Sequence, residues 1–179
     1  MNAPLYLRLG ARMRGPQGAP VGVLRRVTIS NINVYNADSH FASIISGVPG
    51  NDIEGIQLNN INIQYRQMDS VTTKIPVAVP ENEKDYPEPA KMGIMPVYGF
   101  FIRHVNGIAM NNVQVSYLGN ETRSAIMLED VKNVTLFGIK MQPVIGANNI
   151  ILKNVTVFSI KNSEGFKDKK IKQSSATAL

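Results

Sequence analysis

Residues whose types and spacing could do chemistry are few in this chain, and they are scattered. Arg8 lies inside an alternating run in which Leu5, Leu7 and Leu9 flank Tyr6 and Arg8, while Arg103 and His104 directly follow an apolar run at 98–102. Tyr86 and Glu88 stand among prolines, and Glu129 and Asp130 close a late apolar run. Adjacent carboxyls or a histidine are the groups that acid–base chemistry would use. The setting of Glu129 and Asp130, however, is that of an ordinary exposed turn, and His40 and His104 read as packed or surface side chains. No catalytic residue is assigned on these grounds. The chain has no cysteine, which excludes disulfides and thiolate metal sites. Acidic residues do not gather on one strand face as calcium ligands would, so no metal and no cofactor is expected.

The elements that must position these residues are announced by a repeat. An eight-residue phrase, apolar-x-apolar-x-Asn/Gly-apolar-x-apolar, occurs five times, at 27–34, 56–63, 108–115, 134–141 and 150–157. Period-2 alternation marks a half-buried strand. Here it breaks once, at Asn31, Asn60, Asn112, Gly138 and Asn154, residue types that tolerate left-handed backbone and bond locally to the main chain. A corner between two short strands is expected at each, with the asparagine amides stacked as a ladder inside the turns. A second set of apolar runs, at 5–9, 41–45, 98–102 and 124–128, precedes the phrases. Strands that turn the same corner in the same place predict an all-β, right-handed parallel β-helix, a solenoid of about four to five coils.

The offset between phrases is 29 residues from Val27 to Ile56 and 26 from Ile108 to Val134, but 52 from Ile56 to Ile108. The excess falls at about 66–97, where Pro76, Pro80, Pro87, Pro89 and Pro96 accompany Glu81, Glu83, Asp85 and Glu88; it reads as an insertion, and insertions in solenoids gather on the binding face. Residues 1–158 are thus one partial β-helix domain and 159–179 a polar, basic tail with a solvated, frayed end. Nothing before Leu5 reads as a cap for a terminal coil, so the solenoid is expected to be N-terminally truncated, with self-association through its open first coil.

Composition narrows the function classes. The net charge of +6 is concentrated in arginines near the start and lysines near the end. Phe166 is the one aromatic in the tail, so the stacking platforms of a nucleic-acid binder are missing. No apolar stretch approaches the roughly 20 residues of a membrane span, and no signal peptide is read at the start.

The run from Asn2 to Arg12, the segments at 19–22, 27–32, 43–50 and 86–89, and the run from Tyr98 to Val105 together resemble the C-terminal part of glycoside hydrolase family 28, the polygalacturonases and rhamnogalacturonan hydrolases. The resemblance covers roughly residues 1–158. It implies inverting hydrolysis of galacturonate-containing polysaccharide by a carboxyl pair, in proteins that are usually periplasmic or secreted. The family's motifs run in the order Asn-x-Asp, Asp-Asp, Gly-His-Gly and Arg-x-Lys, and in that order only the last can be located here. Arg8 matches its arginine, and Gly10 stands where its lysine belongs. The resemblance therefore implies a pectin-degrading enzyme's C-terminal fragment, inactive alone, with an acidic oligosaccharide or polysaccharide as partner. Its substrate-binding candidates are Arg8, whose guanidinium fork suits the uronate carboxylate, with Tyr86, Glu88, Arg103 and His104. The alternative is a non-catalytic β-helical carbohydrate-binding or scaffold module.

Overall fold

The computed structural model describes residues 3–68 and 78–179. Asn2 of the opening run and Pro76 of the insertion lie outside the described residues. In chain order the elements are β1 (Tyr6–Arg8), β2 (Arg25–Ala37), β3 (Ser43–Ser46), β4 (Ile53–Tyr65), α1 (Pro89–Met92), β5 (Val97–Tyr117), β6 (Ser124–Phe137), β7 (Lys140–Met141), β8 (Ile150–Lys161) and β9 (Lys169–Ala178). The fold is all-β with a mostly parallel sheet: β1–β3–β5–β6–β8 runs in parallel pairs, β2–β4–β5 joins the same ladder, and among the described strands only β9 pairs antiparallel.

The first four phrases stack in register. Val27 pairs with Ile56, Ile56 with Ile108 and Ile108 with Val134, while Ile32, Ile61 and Val113 align beyond the break. Like sits on like, so apolar side chains pile into one core running from Leu5 to Ile160. The second set of runs supplies β1, β3 and the first halves of β5 and β6. β1 is half-buried, but β3 and the first halves of β5 and β6 are buried on both faces: Ile45, Ile102 and Leu128 point into the main core, while Ile44, Phe101 and Met127 join Val79, Met92 and Met95 of the insertion in a second cluster. Full burial of side chains such as Phe101 and Met95 is worth about 1.5–3 kcal/mol each, which seats the insertion firmly on that face.

The fifth phrase is not in register with the other four. Ile150 pairs with Ile126, and Val134 pairs with Phe158. The expected column Asn31, Asn60, Asn112, Gly138 is therefore continued by Asn162, all five with positive φ. Asn154 instead lies opposite Asp130, in a separate column of left-handed bends that begins at His104. The bends at His104, Asp130 and Asn154 carry the same apolar-x-apolar-x-bend-apolar pattern as those at Asn31, Asn60 and Asn112, so the pattern identifies a bend without saying which of these two columns it joins. The amide ladder itself is present: Asn60 donates to Asn31 at 3.1 Å and Asn112 to Asn60 at 2.9 Å. It runs along the exposed surface, not inside the turn, because a left-handed residue at a convex corner directs its side chain outward.

The tail is a second correction. Residues 169–178 form β9, which pairs with β8 from Ile160↔Lys169 to Ile151↔Ala178, and Ile150 and Leu179 exchange backbone hydrogen bonds of 3.0 and 2.9 Å. Its lysines are solvated as expected, but the backbone is laddered. A strand held on one edge by main-chain bonds needs no apolar period, and edge lysines discourage further pairing. At the other end β1 and β2 each have one paired edge among the described residues. Val27, Ile29, Ile32 and Val34 are only half-buried there, whereas their partners Ile56, Leu58, Ile61 and Ile63 are enclosed.

A buried ion pair ties the β5–β6 connection to the end of the insertion. Glu121 receives Nε and Nη2 of Arg123 at 2.9 and 2.6 Å and the backbone N–H groups of Thr122 and Arg123, while Arg123 Nη1 donates to the Met95 carbonyl at 3.2 Å. Burial alone would raise the Glu121 carboxyl, but the hydrogen bonds and charge of Arg123 outweigh it and hold the group below its usual range.

Two outcomes are expected. Val157 has φ +56 in the column of Gly55, Gly107 and Asn133, and a left-handed conformation costs an ordinary L-residue roughly 1–2 kcal/mol. Val157→Asn should therefore stabilise by about 1 kcal/mol, a rise of about 2–4 °C in melting temperature by calorimetry. Glu121→Gln should destabilise by about 3–5 kcal/mol at neutral pH. Because the folded carboxyl titrates below the unfolded one, its contribution is complete above the ordinary glutamate range, near pH ~4.3, and disappears as pH falls through the folded value. The gap between wild type and variant in urea melts should accordingly close in acid.

Candidate functional site

In-register pairing stacks polar residues as it stacks apolar ones. Arg8 pairs with Ser46, Ser46 with Arg103, Arg103 with Glu129 and Glu129 with Lys153, one column across five strands. The next position in chain order, where β5 bends, carries His104, then Asp130, then Asn154. Sequence-adjacent pairs therefore become two neighbouring columns of charge.

Three of the five nominated residues meet here. Arg8 is half-buried and donates through Nη1 to Ser46 Oγ at 2.6 Å and to the Gly47 carbonyl at 3.2 Å, and through Nη2 to the backbone carbonyl of Glu81. It does not face solvent beside Arg12 and Arg14. Arg103 is buried: Nη1 donates to the Val79 carbonyl at 2.8 Å, Nη2 to the Pro80 carbonyl at 3.1 Å, and Nη2 lies 3.1 Å from Glu81 Oε2 and Nη1 4.0 Å from Glu129 Oε2. His104 Nε2 is 3.0 Å from Glu81 Oε1, and Nδ1 is 3.9 Å from Asp130 Oδ2. Burial lowers the pKa of both guanidinium groups, and the neighbouring carboxylates oppose that shift.

Tyr86 and Glu88 are elsewhere on the insertion. Tyr86 is exposed and lies under the Arg12 guanidinium, 3.9 Å from its ring centroid. Glu88 is the residue before α1 and makes no capping bond with its side chain; its charge is felt at Tyr6. His40 pairs with Asp38 at 2.8 Å. Gly10 has ordinary room around it: a Cβ there would meet only the Glu83 carbonyl, at 3.7 Å.

Glu129 and Asp130 are not an ordinary exposed turn. Glu129 faces Arg103, and Asp130 accepts a 2.8 Å hydrogen bond from Asn154 while facing His104. The signal for both was available, since the 26-residue offset that aligns Ile108 with Val134 also aligns Arg103 with Glu129. Glu81 had no such signal, being one acid among several in a segment without periodicity.

Beside the cluster opens a polar cleft of about 550 Å³, lined by Asp52, Glu54, His104, Asp130, Lys132 and Asn154. Lys132 closes on Asp52 at 3.0 Å. Among the described residues, no group of three or more histidine, aspartate or glutamate side chains is placed to hold a metal ion, and no helix is long and apolar enough to cross a membrane. Comparisons with protein-family models, with curated proteins and with solved structures return no match for this chain.

Removing the guanidinium of Arg103 would leave the Val79 and Pro80 carbonyls without their donor and Glu81 Oε2 without its counter-charge. Arg103→Leu should therefore destabilise by about 3–5 kcal/mol in urea titrations and should speed hydrogen exchange at 79–83 more than elsewhere.

Proposed function

We propose that the chain is the substrate-holding part of a polygalacturonase-like glycoside hydrolase on a right-handed parallel β-helix. In this reading it binds galacturonate-containing oligosaccharide and by itself carries out no hydrolysis. The helical coil is supported by the parallel, in-register pairing of sequential strands and by bends that recur at matching positions. The function rests on one observation: Arg8 and Arg103 share a column with Ser46 between them, next to the cleft that His104 lines. Two fixed cations two strand spacings apart, about 10 Å, suit a polymer with a carboxylate on every sugar, and guanidinium binds carboxylate with defined geometry. The inverting mechanism needs a carboxyl pair about 6.5–9.5 Å apart across the sugar, and the family's Asp-Asp and Gly-His-Gly motifs are not in the sequence.

A second reading, a non-catalytic carbohydrate-binding module, is favoured by the state of the local acids. Glu81, Glu129 and Asp130 all face a cation or an amide, which leaves none of the three poised for proton transfer.

Titration calorimetry with oligogalacturonate should show salt-sensitive binding, weakened about tenfold by Arg8→Gln, with no binding of the neutral galactose oligomer. Gly10→Lys, for which there is room, should strengthen it several-fold. Reducing-sugar release from polygalacturonate should be absent. Equal affinity for the neutral oligomer would overturn the uronide reading. Hydrolysis abolished by Glu129→Gln or Asp130→Asn would overturn the inactive one.

A further inference from the structure

We infer that Arg103 and His104 form a pocket for an external carboxylate, and that Glu81 of the insertion occupies this pocket as an internal stand-in. The inference deepens the uronide reading and rests on it only for the identity of the sugar; the pocket follows from the geometry.

The two oxygens of Glu81 are divided between two side chains of β5: Oε1 lies 3.0 Å from His104 Nε2, and Oε2 lies 3.1 Å from Arg103 Nη2. Only the first contact is a hydrogen bond: Oε2 is buried and accepts none among the described residues, meeting Arg103 through charge alone. Glu81 thus fills imperfectly a place where a free carboxylate, able to align with the guanidinium, is received at two points. The partners differ in kind. Arg103 is floor: its side chain is 3% exposed, it extends from a strand paired on both sides, and two carbonyls fix its guanidinium. Glu81 is mouth: its side chain is 32% exposed and its segment lies outside the sheet ladder. The carboxylate can therefore leave without breaking strand pairing, whereas the cation cannot. A buried cation left alone is costly, so a vacated pocket draws in another anion.

The pocket is already half furnished for one. Nε of Arg103 is buried with no hydrogen-bond partner among the described residues, a donor that the internal carboxylate does not satisfy. His104 also lines the open cleft, so a ligand lying in the cleft meets the histidine side of the pocket. The acids near the entrance are already engaged, Asp52 by Lys132 and Asp130 by Asn154. The cleft otherwise presents amide, hydroxyl and ammonium groups from Asn154, Thr156 and Lys132, with the Glu54 carboxylate as the remaining acid on its wall. This combination recognises a monocarboxylate on a hydroxylated body, the chemistry of a sugar acid. The Glu81 side chain then acts as a plug that a ligand must displace.

The test is chemical rescue of Glu81→Ala. In thermal melts at fixed pH and ionic strength, sodium acetate should raise the melting temperature of the variant saturably above its value in sodium chloride and should leave wild type unmoved. If the variant is too unstable to fold, acetate and not chloride should restore its soluble refolding yield. The double variant Glu81→Ala/His104→Ala should lose most of the effect. Calorimetry should show galacturonate binding Glu81→Ala at least tenfold more tightly than wild type, with galactose binding neither. Identical behaviour in acetate and chloride, in melts and in refolding, would overturn the pocket. Acetate rescue without any preference for galacturonate would keep the pocket and remove the uronide reading. Oligogalacturonate bound equally by wild type and variant would keep the uronide reading and remove the stand-in.

Discussion

Parallel pairing in register is the constraint from which the rest of this structure follows. When successive strands run the same way at a fixed offset, each residue is forced onto its counterpart one strand spacing away, about 4.8 Å. Apolar residues then have apolar neighbours above and below, and a bend in one strand demands a bend in the next. The consequence is visible at Ile56, Ile108 and Val134, which bury one another. It is equally visible at Arg26, Gly55, Gly107, Asn133 and Val157, which all take left-handed backbone because the column requires it. Glycine and asparagine meet that demand at little cost. Valine meets it with strain, and the ladder on either side over-determines its conformation.

The same rule makes charge a collective property. A lone arginine on a strand face is a local matter; stacked on other polar positions it belongs to a column whose charges must balance. Within the ladder, Ser46 separates Arg8 from Arg103, and Glu129 follows Arg103. Arg103 is nonetheless too deep for Glu129 alone, at 4.0 Å, to neutralise, and the closer carboxylate comes from the insertion. Sheet and insertion are thereby coupled by two kinds of force at once. The apolar cluster of Phe101, Met127, Met92 and Met95 holds the insertion down, and the Glu81 contact fixes where its acidic end lies. The Glu121 and Arg123 pair fastens the insertion's far end more completely, through a carboxylate fully engaged by a guanidinium that also binds main-chain carbonyls.

The two ends of the ladder are treated differently. At β8, β9 reverses direction and closes the outer edge with a lysine-rich strand whose main-chain bonds are satisfied on its inner side. At β1 and β2 the apolar residues remain half-buried. The antiparallel strand ends the stacking because its residues no longer fall on their own counterparts, so nothing about it selects for an apolar or bend position. That explains both why it is polar and why it carries no periodic trace.

From its sequence alone this chain determined the strand periodicity, the bend residues and the register of four phrases, because each depends on short-range chemistry: alternation of burial and tolerance of left-handed backbone. It also marked Arg8, Arg103 and His104, since cations interrupting apolar runs are conspicuous. Tertiary structure decided which bend Asn154 occupies, because several bends share one pattern and only packing against β6 chooses among them. It decided that Glu129 and Asp130 are partners of Arg103 and His104, although the 26-residue offset held that information. It alone decided that Glu81 is the carboxylate at Arg103, while Tyr86 turns to Arg12 and Glu88 stays exposed. A segment without periodicity is placed by what it can bury and neutralise, and those surfaces do not exist until the strands have stacked.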